Sequence, residues 1–155
     1  MSGLVDSRLD ALGIKLPVLA LPVANYLPHI IVGNVVHLSG QLARGNSGII
    51  AGLAGETLDV SMAAGAARQC GLALLAALRD ALEGNLDRVE ACIRIDGYVA
   101  CRPDFQDHST VINGASDLMV EIFGDRGCHA RVAVGVASLP LGAAVEVAAN
   151  FRIKN

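Results

Sequence analysis

Two kinds of hydrophobic pattern run through this chain, and the switches between them outline its elements. Apolar residues recur at positions 62, 66, 70, 73, 74, 77, 78 and 81. That 3.6-residue period predicts one long helix stopping at Gly84-Asn85, with Thr57 or Asp59 as its cap. A second helical pattern over Asp104–Phe123 places Val111, Ile112, Ala115, Leu118, Met119 and Ile122 on one side. A short amphipathic helix is predicted over 2–12, closed by Gly13.

Between these segments the period falls to two. Ile30-Ile31-Val32 and Val35–Gly40, split by Gly33-Asn34, predict a β-hairpin, because a Gly-Asn pair tolerates positive φ. Val89–Cys101 is a β-branched run and predicts a strand. The closing stretch predicts two further strands, joined as a hairpin at Leu139-Pro140-Leu141-Gly142. The proline-rich segment from Leu16 to Pro28 is expected to be extended. The run holding Gly45, Gly48, Gly52 and Gly55 is expected to be a flexible loop. The order β-β-α-β-α-β-β implies a single α+β domain over residues 1–155, a mixed sheet with two helices on one face.

Within the closing stretch, Arg131 and Glu146 stand alone among small and apolar residues. Ionised side chains are costly to desolvate unless something pairs with them. A guanidinium suits a carboxylate ligand, and a carboxyl group in an apolar setting can hold a proton near neutral pH. Together they point to a small anionic substrate and proton transfer. Read as a hairpin, the two strands set Arg131 opposite Asn150 and Glu146 opposite Gly135, on one shared face. The pair then lies about 13 Å apart along the strand, so either a bulge re-aims one of them or a second subunit completes the site.

Composition sharpens this picture. The 155 residues fit one domain, and the charged share of 17% falls below the usual level of about 25%. The surplus of apolar surface is expected to be covered by further copies of the chain. A net charge of −3 without a basic run gives no footprint for nucleic acid. Four cysteines without a C-x-x-C pair are expected to be mainly buried thiols. His29, His37, His108 and His129 lack metal-ligand spacing, so no metal site is expected. His37 and Ser39 have no acidic partner for a hydrolase triad, and the glycine-rich run lacks the Lys-Ser/Thr ending of a phosphate loop. The N-terminus lacks the layout of a secretory signal, and prolines interrupt the apolar stretch 16–38. A soluble, cytoplasmic protein without a membrane partner is expected.

Arg131-x-x-Val134-x-Val136-x-x-Leu139-Pro140, followed by Val145-Glu146-Val147, resembles the closing signature of the RidA/YjgF/Rid family. Gly33-Asn34-x-x-x-x-Ser39-Gly40-Gln41 is similar to that family's early hairpin, Ala66-Ala67-Arg68-Gln69 to the start of its long helix, and Asn113 to an asparagine common there. The likeness covers about residues 26–152, leaving 1–25 as an N-terminal extension. It implies a chorismate-mutase-like α+β fold assembled as a homotrimer with clefts between subunits. It also implies hydrolysis of enamines and imines such as 2-aminoacrylate and 2-iminopropanoate to 2-keto acids and ammonia, without metal or organic cofactor. On this resemblance Arg131 clamps the substrate carboxylate, Glu146 positions water and shuttles protons, and Tyr26 lies near the substrate. Ser39 and Gly40 line the cleft, and Asn113 contacts the ligand.

The chain also departs from the family pattern. Ala133 stands where deaminating members usually have cysteine, and Ala24-Asn25-Tyr26-Leu27-Pro28-His29 replaces their Gly-Pro-Tyr-x-Gln-Gly. The N-terminal extension and the glycine-rich insertion resemble a longer branch. The alternative reading is a non-catalytic module that holds a 2-keto acid in the same clefts.

Overall fold

Asp59 starts the long helix: its carboxylate accepts a hydrogen bond from the Met62 amide at 2.7 Å, which satisfies one of the helix's orphan donors. This helix is the second of the chain, α2 (Val60–Ala81), after the short α1 (Leu4–Ala11). The computed structural model describes residues 3–19 and 24–154, so Pro22 and residue 2 of the predicted first helix lie outside the described residues. The predicted early hairpin forms as β1 (His29–Val32) and β2 (Val35–Leu42), paired Val32 to Val35 around Gly33, whose φ is 59°. The long strand is β5 (Val89–Ala100), and the closing strands are β6 (Ala130–Val136) and β7 (Val145–Ile153).

The helix α3 runs His108–Phe123 and begins four residues later than its apolar pattern predicts. Asp104 is held by the Arg102 side chain at 3.0 Å, and the Phe105 amide donates to the Arg102 carbonyl, so a turn occupies the expected first residues. The glycine-rich run is no free loop. It forms a small hairpin, β3 (Arg44–Gly45) with β4 (Gly48–Ile49), and is stitched to the main sheet through Ala51–Ala143 and Ala54–Cys101 bridges.

The largest correction concerns the closing strands, which are not a hairpin. The five-stranded sheet has the order β1-β2-β7-β5-β6: β5 lies between the two, parallel to β6 and antiparallel to β7. The link from β6 to β7 passes over the end of β5, where the Ala100 amide donates to the Ala144 carbonyl at 2.9 Å. Placing the 12-residue β5 internally satisfies both of its backbone edges.

Helices α2 and α3 cover one face of this mixed sheet, as an α+β fold requires. The two helices approach so closely that a Cβ at Gly114 would meet the Ala64 carbonyl, and α3 lies so close on β5 that one at Gly97 would meet Ile112. Although α2 is long and apolar enough to cross a membrane, it is the core helix here, with Cys70, Leu74, Leu75, Ala77 and Leu78 buried. Cys70 and Cys92 are buried as expected; Cys101 is half-buried and Cys128 exposed, and all four thiols are free. The opposite face is open, with Val132 at 36% and Val134 at 41% exposure.

Candidate functional site

Strand register decides where the two isolated charges go. Arg131 pairs with Ile95, and Ile95 pairs in turn with Ala149. Glu146 pairs with Tyr98. Paired residues share a face and successive ones alternate. Arg131 therefore joins Ile95 and Ala149 on the helix-covered face, while Glu146 joins Tyr98 and Ala148 on the other. The shared face expected from a hairpin does not exist, because β5 intervenes and shifts the parity.

Arg131 lies under α3. Its Nη1 donates to Asn113 Oδ1 at 2.7 Å and to Ser116 Oγ at 3.2 Å, and its Nη2 donates to the Ser109 carbonyl at 3.3 Å. A guanidinium has five N–H donors, so two remain for a ligand. None of its partners is anionic, and among the described residues Arg131 takes part in no ion pair. It is a held, uncompensated cation suited to a carboxylate. Ala133 and Gly135 continue its row toward Cys101 and His108, whose Sγ and Nε2 are 3.5 Å apart. A Cβ at Gly135 would meet both side chains.

Glu146 occupies a different setting. The ladder between β2 and β7 slips between Leu38 and Gln41, and this bulge leaves Gly40 beside the Glu146 carboxylate. A Cβ at Gly40 would collide with Oε1. Tyr26, Gly40, Gln69 and Glu146 line one cavity of about 370 Å³, with Leu19, Ala73, Ala76 and Leu141 on its apolar side. Desolvation there raises the Glu146 carboxyl above its ordinary range, the direction that suits proton exchange nearer neutrality. Burial, reinforced by the nearby Glu146 charge, also keeps the Cys70 thiol protonated.

The structure thus gathers Tyr26, Gly40 and Glu146 in one place and Arg131 with Asn113 in another. Ser39 does not line the cavity: its hydroxyl donates to the Leu27 carbonyl at 2.6 Å and its amide to the Pro28 carbonyl at 2.9 Å. It pins the segment carrying Tyr26, which remains 53% exposed at the mouth. Among the described residues, no group of three or more His, Cys, Asp or Glu side chains is placed to hold a metal ion.

The sequence assigned no site role to Ser116, His129, Gln69 or Arg44. Two signals were available. Ser116 is three residues after Asn113 on one helix face, and His129 is two before Arg131, just ahead of β6. Gln69 and Arg44 enter the cavity only through the packing of α2 and β3 against the bulge, which no local pattern announces.

The chain matches the model of a family described as "YjgF/chorismate mutase-like, putative endoribonuclease" over residues 6–150. It is 44% identical over 156 residues to Protein TCP17 of Trypanosoma cruzi, covering 99% of this chain and 97% of that protein. The crystal structure of Atu1372 from Agrobacterium tumefaciens, a protein of unknown function, is similar with TM-score 0.89 at 41% identity, over 98% of this chain and 93% of that one. A "putative endoribonuclease" from Shewanella oneidensis is similar with TM-score 0.93 at 32% identity, over 97% of this chain and 100% of that one.

Proposed function

The chain belongs to the YjgF/chorismate mutase-like family, and from that premise we propose that it hydrolyses small 2-imino and enamino acids to 2-keto acids and ammonia in clefts between the copies of a cytoplasmic homotrimer. One observation carries this reading: a guanidinium without an ion pair and a desolvated carboxyl stem from strand positions of opposite parity in one sheet. Two strand spacings across and three residues along put their Cα atoms about 14 Å apart. A small acid cannot span that distance within one chain. A second copy set against the first brings its Glu146 cavity to the Arg131 edge, and the exposed Ile30, Ile31, Val32, Val132 and Val134 give such a contact an apolar surface.

In that cleft the substrate carboxylate takes the two remaining N–H donors of Arg131, steadied by Asn113. The neighbouring Glu146 accepts a proton from water as its oxygen bonds to the C=N carbon, and returns that proton to the imine nitrogen, leaving a carbinolamine. Glu146 then takes the hydroxyl proton as the C=O bond forms and passes it to the nitrogen as the C–N bond breaks, so ammonia leaves and the carboxylate is regenerated. Gly40 gives the carboxylate its place, and Tyr26 stands at the mouth. The reading involves no metal, organic cofactor, nucleic acid or membrane partner.

The test is release of ammonia and keto acid from enzymatically generated 2-iminopropanoate and 2-iminobutanoate. Acceleration over buffer that disappears in Arg131→Ala and Glu146→Gln supports the assignment; none with the wild-type protein removes it. Ala133 and the half-exposed Tyr26 favour a second reading, a module that binds 2-keto acids without turnover. Calorimetry showing keto-acid binding alongside absent turnover selects that one.

A further inference from the structure

Arg131 is held by a chain of hydrogen bonds whose polarity can be read at every link. His129 Nδ1 lies 2.6 Å from the Gly127 carbonyl oxygen. That oxygen can only accept, so Nδ1 carries the hydrogen. In the neutral ring Nε2 is then a bare acceptor, and it lies 2.9 Å from Ser116 Oγ. The hydroxyl therefore donates to His129 and has only lone pairs left to offer. Arg131 Nη1 fills one of these at 3.2 Å and gives its second hydrogen to Asn113 Oδ1 at 2.7 Å.

We infer that Ser116 and His129 form a relay that positions the Arg131 guanidinium for its anionic ligand. The inference rests on the reading of Arg131 as a carboxylate clamp. Arginine side chains are flexible, and a clamp works only when its free donors point in a fixed direction. Asn113 alone fixes one point. The Ser116 hydroxyl fixes a second, but a serine rotor could as well turn its hydrogen toward the guanidinium. His129 prevents this by taking that hydrogen, and the Gly127 carbonyl fixes which ring nitrogen does so. The relay joins α3, the turn after it and β6, so the anchor is set where three segments meet. Ser116 and His129 are positioning residues; neither is required to touch the ligand.

The experiment has two arms on the intact protein. Long-range proton–nitrogen NMR of the His129 ring is expected to show a protonated Nδ1 and a bare Nε2 in the wild type. Calorimetry with 2-oxobutyrate is expected to show binding weakened about tenfold in Ser116→Ala and His129→Phe, the loss typical of a hydrogen bond to a charged group, with Ser116→Thr close to wild type. With an imine substrate the same variants raise KM while kcat changes little. A protonated Nε2, or Ser116→Ala binding 2-oxobutyrate as wild type does, overturns the relay. Wild-type protein that binds no 2-oxobutyrate overturns the clamp reading instead. The relay then fails as a ligand-aiming device whatever tautomer is found.

Discussion

Gly40 and Glu146 touch across the β2–β7 ladder, and the contact leaves no room for a side chain at position 40. A bulge makes the space and glycine keeps it open. In Gly40→Ala the new methyl must push the Glu146 carboxylate aside, which is affordable for the fold because the obstacle is the end of a flexible side chain. Imine turnover is expected to fall about tenfold or more, since small displacements of a reacting group are costly. Thermal unfolding should move by little. An alanine variant with wild-type turnover would show that the carboxylate's seat is not what matters.

Arg131→Lys keeps the charge and loses the planar set of donors. Lysine cannot hold Asn113, Ser116 and the Ser109 carbonyl while also presenting two parallel N–H groups outward. Keto-acid affinity measured by calorimetry is expected to drop about tenfold or more. Affinity within experimental error of wild type would mean that a point charge suffices and that the fork geometry is incidental.

How legible this was depends on range. The hairpin β1–β2, the Asp59 cap and the period of α2 are written in neighbouring residues, and each forms where expected. The strand β5 was also readable, as was the isolation of Arg131 and Glu146 among small and apolar neighbours. Which strand lies beside which was not. Residues 130–136 and 145–153 each state that their faces alternate, but nothing local says that β5 separates them. That one insertion moved Arg131 and Glu146 to opposite faces. The start of α3 failed for a local reason, since the Arg102–Asp104 contact competes with the first helical turn. Ser116 and His129 acquire meaning only once α3 is known to lie over β6.

Burial of Glu146 also predicts a pH signature in stability. Folding takes the carboxyl partly out of water, so ionisation favours the unfolded chain and the native value rises above the ordinary 4.5. The protonated form's contribution to stability is fully present below 4.5 and is lost as pH rises through the native value. Glu146→Gln cannot ionise and avoids that loss. Its melting temperature is expected to exceed wild type at pH 7–8, with the gap closing as pH falls toward 4.5. A gap that stays constant across this range would place the carboxyl in a water-like environment.

The proposed division of the site between copies gives the most direct test. Arg131→Ala and Glu146→Gln each destroy one half and leave the other intact. If both halves came from one chain, mixing the two variants could restore nothing, because every site would carry one defect. If each cleft takes Arg131 from one copy and Glu146 from its neighbour, some mixed clefts draw both intact residues. Random co-assembly makes about a quarter of clefts complete in a symmetric ring. Co-expression or joint refolding is therefore expected to recover about that fraction of wild-type imine turnover, whereas mixing preformed oligomers recovers none until subunits exchange. Absence of recovery in verified mixed assemblies would return both residues to a single chain and remove the cleft between copies from the proposed reaction.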